Sequence, residues 1–236
     1  MRYWIGVDFG QAHDYTAVAI LERVMVEDGG ALFEMEEQLG IFKREPVEAP
    51  YYRPELHLRY LRRPPLGTPY ERIADGIVKR LCELEPTGTF GERRAVGLAV
   101  DGTGVGRPVV DMLHRRLLEA EDAPMVHFWP VVVTAGNRVT KQGLYMGVPK
   151  IDLISAVLAP FQNDQLKIGA DIADRGVLER ELANYRRNIN LQSGHTTFEP
   201  WREREHDDLL FAVALACWAW GFVREQDLSR FQHSSR

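Results

Sequence analysis

Hydrophobic and polar positions alternate in short runs through the first part of the chain. Tyr3-Trp4-Ile5-Gly6-Val7-Asp8-Phe9 predicts a strand over 3–9, and the run from Thr16 to Val24 predicts a second. Asp28-Gly29-Gly30 is a hairpin signal, and looser alternation from Ala31 to Phe42 predicts a third strand. Three sequential antiparallel strands are therefore expected to open the fold. Residues 43–69, with Pro46, Pro50, Pro54, Pro64, Pro65 and Pro69 among arginines, read as a long inserted loop, functional or disordered.

Beyond residue 69 the period changes. Ile73, Ile77, Leu81 and Leu84 recur at helical spacing from Tyr70 and stop at Pro86. Residues 95–101 predict a strand, and Val109, Val110, Leu113 and Leu117 a helix after it. Val126 to Val133 predicts another strand, and a helix starts near Pro149 with Leu153, Ile154, Val157 and Leu158 inward. Leu178 to Asn188 and Asp208 to Arg224 complete the helices. Alternating strands and helices imply a parallel extension of the opening sheet, so the fold class is α/β with a mixed sheet flanked by helices.

At 236 residues and 45% hydrophobic content, the chain suits a single domain with a real core. Cys82 and Cys217 lie in apolar helical patterns and read as buried thiols of a reducing compartment. No stretch reaches the roughly 18 apolar residues of a membrane span. No charged segment with a cleavage site precedes Tyr3, which points to the cytoplasm. A net charge of −5 argues against a protein that coats nucleic acid over its whole surface. A local basic rim remains compatible with it, drawn from Arg53, Arg59, Arg62, Arg63, Arg138, Lys141, Lys150, Arg186, Arg187, Arg202 and Arg204. Taken singly, most of these read as solvated surface charges.

The chemistry lies in carboxylates placed where apolar runs open into polar residues. Asp8 ends the first strand, with Gly10 beside it and Asp14 ahead of the second. Asp101 ends the strand at 95–101 and leads into Gly102-Thr103-Gly104-Val105-Gly106, at the strand end where open α/β sheets carry ligands. His206-Asp207-Asp208 precedes the apolar run Leu209 to Ala216. Each has a plainer reading: Asp8 and Asp14 as turn acids, Asp207 and Asp208 as helix caps, His206 as a surface residue. Converging acids, however, repel one another unless a divalent cation neutralises them. The oxygen donors, with no Cys/His cluster, suit Mg²⁺ or Mn²⁺ rather than zinc. The glycine-rich loop is not followed by Gly-Lys-Ser/Thr, a combination found nowhere in the chain, which excludes a P-loop ATPase.

These segments, in this order, resemble the nuclease domain of the large terminase subunit of tailed bacteriophages, a ribonuclease H-like fold. The resemblance runs from residue 3 to about residue 222. It is carried by Gly6-Val7-Asp8-Phe9-Gly10 with Asp14-Tyr15-Thr16-Ala17, by Val100-Asp101-Gly102-Thr103-Gly104-Val105-Gly106, and by Val148-Pro149-Lys150-Ile151-Asp152-Leu153-Ile154. Leu178-Glu179-Arg180-Glu181-Leu182 and His206-Asp207-Asp208-Leu209-Leu210-Phe211-Ala212 complete it, the last being the most specific.

The resemblance implies metal-dependent endonuclease cleavage of double-stranded DNA during genome packaging. Asp8, Asp101 and Asp208 match the catalytic acids, and Asp14 and Asp207 match auxiliary acids near a second metal. Arg138, Lys141 and Lys150 are the DNA-backbone candidates, while Asp152 and Asp171 are read as structural. Two divalent ions, Mg²⁺ or Mn²⁺, are the implied cofactors. A terminase ATPase domain, a small terminase subunit and a portal are the implied partners in a bacterial host, with no membrane. The whole chain, 1–236, is then one nuclease domain with an insertion at about 43–69, expected as an excised domain or a separately encoded nuclease. The alternatives are another ribonuclease H-like nuclease such as a Holliday-junction resolvase, a relative of sugar kinases and heat-shock ATPases through Gly6 to Gly10, and a non-catalytic packaging or assembly module.

Overall fold

The computed structural model describes residues 1–10, 14–28, 52–84, 95–103, 107–190 and 207–234. Strand β1, Tyr3–Asp8, is buried up to its last residue and lies at the centre of an eight-stranded mixed sheet. On one side it pairs antiparallel with β2, Ala17–Glu27, and β2 pairs antiparallel with β3, Tyr52–Arg62. On the other side it pairs in parallel with β4, Ala95–Asp101, which pairs in parallel with β5, Met125–Thr134. Three short strands finish the sheet: β6, Thr140–Gln142, and β7, Tyr145–Pro149, at one edge and β8, Leu166–Ile168, at the other. The antiparallel opening and parallel extension expected from the periodicity are both present.

Five helices are described. Helix α1, Tyr70–Cys82, and α2, Arg107–Glu119, cover one face, where Ile73, Ile77, Leu81, Val110, Leu113 and Leu117 pack on Ile5, Val7, Leu98 and Val100. The opposite face carries α3, Lys150–Gln162, α4, Arg175–Asn190, and α5, Asp208–Ser234. The first half of α5 is apolar all round and buried from Asp208 to Trp220, as a helix enclosed on every side must be. No described helix is long and apolar enough to cross a membrane.

Strand β3 corrects the reading of 43–69 as a loop. Leu56, Leu58 and Leu61 are buried, and the strand follows β2 along its length, with a register shift near Ile20 and Leu21. Pro54 concealed it. That proline is tolerated because β8 pairs only with Leu56, His57 and Leu58, leaving the outer edge open at position 54. The strand expected over 31–42 lies outside the described residues.

One packing detail fixes how α5 meets the sheet. A Cβ placed on Gly6, in the middle of β1, would stand 1.9 Å from the carbonyl oxygen of Ala212. Only glycine lets strand and helix backbones approach this closely. Ala212 and Ala216 supply the matching small face on the helix.

Candidate active site

Strands β1 and β4 run in parallel with Asp8 directly opposite Asp101, so their last residues form a carboxylate pair on adjacent strands about 4.8 Å apart. The close approach of α5 at Gly6 brings the first turn of that helix, with Asp208, to the same end of the sheet. Asp207 precedes it, half-buried, and its carbonyl accepts the Phe211 N–H at 2.9 Å. Asp14 is exposed, just ahead of β2. The structure thus gathers all five acids singled out in the sequence at one end of the sheet, drawn from four separate segments.

Burial and neighbouring charge both act on Asp8. Burial of its carboxyl pushes its pKa well above the ordinary aspartate value, and the charges of Asp101, Asp208, Asp207 and Asp14 push it further in the same direction. Asp101 is also raised, by burial, against hydrogen bonds that favour its ionised form. Those bonds come from Thr103, whose backbone N–H and hydroxyl both donate to Asp101 Oδ1, at 2.8 and 2.5 Å. The same hydroxyl accepts the Val133 N–H at 2.9 Å, tying the turn after β4 to β5. Gly104 to Gly106, and His206, lie outside the described residues.

Asp208 is buried and has a cationic neighbour, Arg63, whose guanidinium stands 3.2 Å from Oδ2. Arg63 also hydrogen-bonds Glu181 of α4, and Glu181 accepts the Leu210 N–H of α5 at 2.8 Å. Burial raises the Glu181 carboxyl to about 7, with Asp208 and Asp207 adding to the rise and Arg63 and Leu210 opposing it. Arg63, Glu181 and Thr103 are therefore site residues that the sequence reading did not place. Thr103 had a signal in its Asp-Gly-Thr context. The other two meet across 118 positions, which no local pattern reveals.

The basic candidates follow from the same topology. Lys150 opens α3 directly after β7, with its ammonium 6.0 Å from the Phe211 ring of α5. Arg138 and Lys141 are exposed, in the turn after β5 and on β6. Because β1, β4, β5 and β7 are parallel, Lys150 and the turn bearing Arg138 lie at the same end of the sheet as the acids.

A divalent cation suits the donors. They are carboxylate oxygens, and a cation would offset both the burial and the neighbouring charges that raise Asp8. Among the described residues, no three His, Cys, Asp or Glu side chains already stand in a coordinating arrangement. Asp101 is turned to Thr103 and Asp208 to Arg63.

No protein-family model matches the sequence, and no curated protein does. Solved structures with a similar course of chain include terminase nucleases. The human cytomegalovirus terminase nuclease domain, Mn-soaked and inhibitor-bound, is 13% identical over 92% of this chain and 81% of its own, with a TM-score of 0.51. The large terminase nuclease from thermophilic phage G20c is 19% identical over 91% of this chain and 80% of its own, with a TM-score of 0.46. The g2p large terminase nuclease domain from bacteriophage SPP1, with bound Mn, is 12% identical over 92% and 85%, with a TM-score of 0.41. The likeness to the cytomegalovirus domain shows the fold, a ribonuclease H-like mixed sheet flanked by helices.

Proposed function

We propose that this chain is a metal-dependent endonuclease that hydrolyses double-stranded DNA, working as the nuclease domain of a phage genome-packaging terminase. The observation that carries the reading is the pairing of Asp8 with Asp101 across β1 and β4, with Asp208 brought beside them where α5 packs over Gly6. The fold shared with the cytomegalovirus terminase nuclease, a Mn-soaked structure, supports it.

In this reading Asp8, Asp101 and Asp208 hold the catalytic cations, two Mg²⁺ or Mn²⁺, and Asp14 and Asp207 assist at the second. Bound there, such ions supply an activated water and stabilise the leaving 3′ oxygen. The chain's own residues do the rest. Thr103 fixes one Asp101 oxygen. The Gly6 contact holds the third acid against the first pair. Lys150, Arg138 and Lys141 bind the DNA backbone beside the acids. From β1 to β7 is three strand spacings, about 14 Å. A duplex lying along the strand ends thus meets acids at the cleaved phosphate and cations at phosphates further along.

The chain acts as one domain of 1–236, in a bacterial host cytoplasm, with an ATPase motor domain, a small terminase subunit and a portal as partners. The test is incubation of the purified chain with supercoiled plasmid in Mg²⁺, Mn²⁺ or EDTA. Nicking and linearisation that EDTA stops support the reading. Intact plasmid in both metals, from a folded protein, moves the chain to a non-catalytic assembly role.

A further inference from the structure

A cation of the chain itself reaches into the acid edge. Arg63 directly follows β3, and β3 runs in the same direction as β1 because β2 is antiparallel to both. Its side chain is therefore delivered to the end of the sheet where Asp8 and Asp101 lie. The side chain is largely buried, at 16% exposure. It lies over the Tyr15 ring, 5.2 Å from the centroid, hydrogen-bonds Glu181, and stands 3.2 Å from Asp208 Oδ2. Its backbone N–H donates to Asp174 Oδ2 at 3.3 Å. Arg63 is thus held from several directions, whereas Asp208 is one of two carboxylates it serves.

We infer that Arg63 is an internal counter-ion that occupies Asp208 in the metal-free protein and competes with the divalent cation for that carboxylate. The inference rests on the metal-site reading above and adds to it a residue and a direction of effect. A guanidinium at Oδ2 and a divalent cation on the same carboxylate repel each other, so cation entry weakens the Arg63–Asp208 pair. Glu181 makes the exchange possible: it keeps Arg63 paired after Asp208 leaves and holds the start of α5 through Leu210. A buried arginine left without any partner would oppose metal entry far more strongly. With Glu181 in place the exchange trades one ion pair for a metal bond.

The experiment is calorimetric titration of the full chain with MnCl₂, with circular dichroism to confirm folding. R63M removes the competing charge and keeps an unbranched apolar stem. It is expected to bind Mn²⁺ on the order of tenfold more tightly than wild type, the scale of removing one close like charge at a partly buried site. Because R63M also removes the partner of Glu181, R63M/E181Q is titrated against E181Q as well, and the same tightening is expected. Wild type that binds Mn²⁺ while both Arg63 variants bind equally or more weakly than their references overturns the counter-ion role and leaves the metal site standing. No Mn²⁺ binding by any folded variant overturns both.

Discussion

Gly6 is where a single methyl group should separate the acids. Ala at this position puts a Cβ 1.9 Å from the Ala212 carbonyl oxygen and 2.8 Å from the Ala216 nitrogen. Both are backbone atoms of a helix packed on every side, so no side chain can swing away. Restoring ordinary contact, from 3.4 Å upward, requires α5 to retreat from β1 by about 1.5 Å. Overpacking of this kind costs about 3 kcal/mol. In a chain of this size that lowers Tm by roughly 6–12 °C. The functional cost is separate, since a displacement of about 1 Å at a catalytic group can lose about 100-fold in rate. Gly6→Ala should therefore melt earlier and nick plasmid about 100-fold more slowly while still folded. Gly76→Ala is the control. It lies in α1, where a Cβ would meet nothing within 4 Å. Helix propensity there should raise stability by about 0.5–1 kcal/mol and leave cleavage unchanged. Gly6→Ala with the melting and cleavage of wild type would refute the claim that this contact sets the distance between Asp8 and Asp208.

Asp8→Asn, Asp101→Asn and Asp208→Asn should each abolish plasmid cleavage. Asp8→Asn should also raise Tm in EDTA, because it deletes the carboxyl whose charge is opposed by burial and four acids. Stability of the metal-free protein should fall as pH rises from about 4.5 to about 7, because folded Glu181 holds a proton that the unfolded chain has already lost. Its contribution is at most about 3 kcal/mol, and urea melts in EDTA at pH 5 and pH 8 should differ less in Glu181→Gln. Thr103→Val removes the hydroxyl that links Asp101 to Val133 and should cost about 1 kcal/mol in a thermal melt. Lys150→Ala should weaken duplex binding and lower the slope of log affinity against log salt by about 1, measured by fluorescence anisotropy with Asp208→Asn to prevent cutting.

The parts of this fold that were legible in sequence share a physical property: their burial is expressed within one segment. Tyr3 to Asp8 and Ala95 to Asp101 are apolar runs that stop at a carboxylate, and Asp208 opens a run apolar on all sides. The strand ends and the helix start, and with them Asp8, Asp101 and Asp208, could be read from those runs. Strand β3 could not, since Pro54 and interleaved arginines hide Leu56, Leu58 and Leu61. Strands β6 and β8 have three residues each, too few for a period to show.

The contacts that assemble the site were hidden for a different reason. Gly6 could be seen to sit in a strand, but its use as a seat for Ala212 depends on two elements packing about 200 positions apart. The links from Arg63 to Glu181 and Asp208 are likewise long-range. Arg63 was one of many arginines available for a basic rim, and its burial sets it apart only once β3 is placed beside β2 and the start of α5. Glu181 lay inside a recognised helical segment with nothing local to distinguish it from Glu179, which is paired with Arg175 on the helix surface.

The central claim is that Asp8, Asp101 and Asp208 form one metal-binding site at the end of the sheet. Crystals of the chain soaked in MnCl₂, with anomalous data collected at the manganese edge, test it most directly. The account predicts anomalous peaks within ligating distance of all three carboxylates, with Asp208 turned away from Arg63. Anomalous density confined to surface carboxylates elsewhere, with Asp208 still on Arg63, would contradict it.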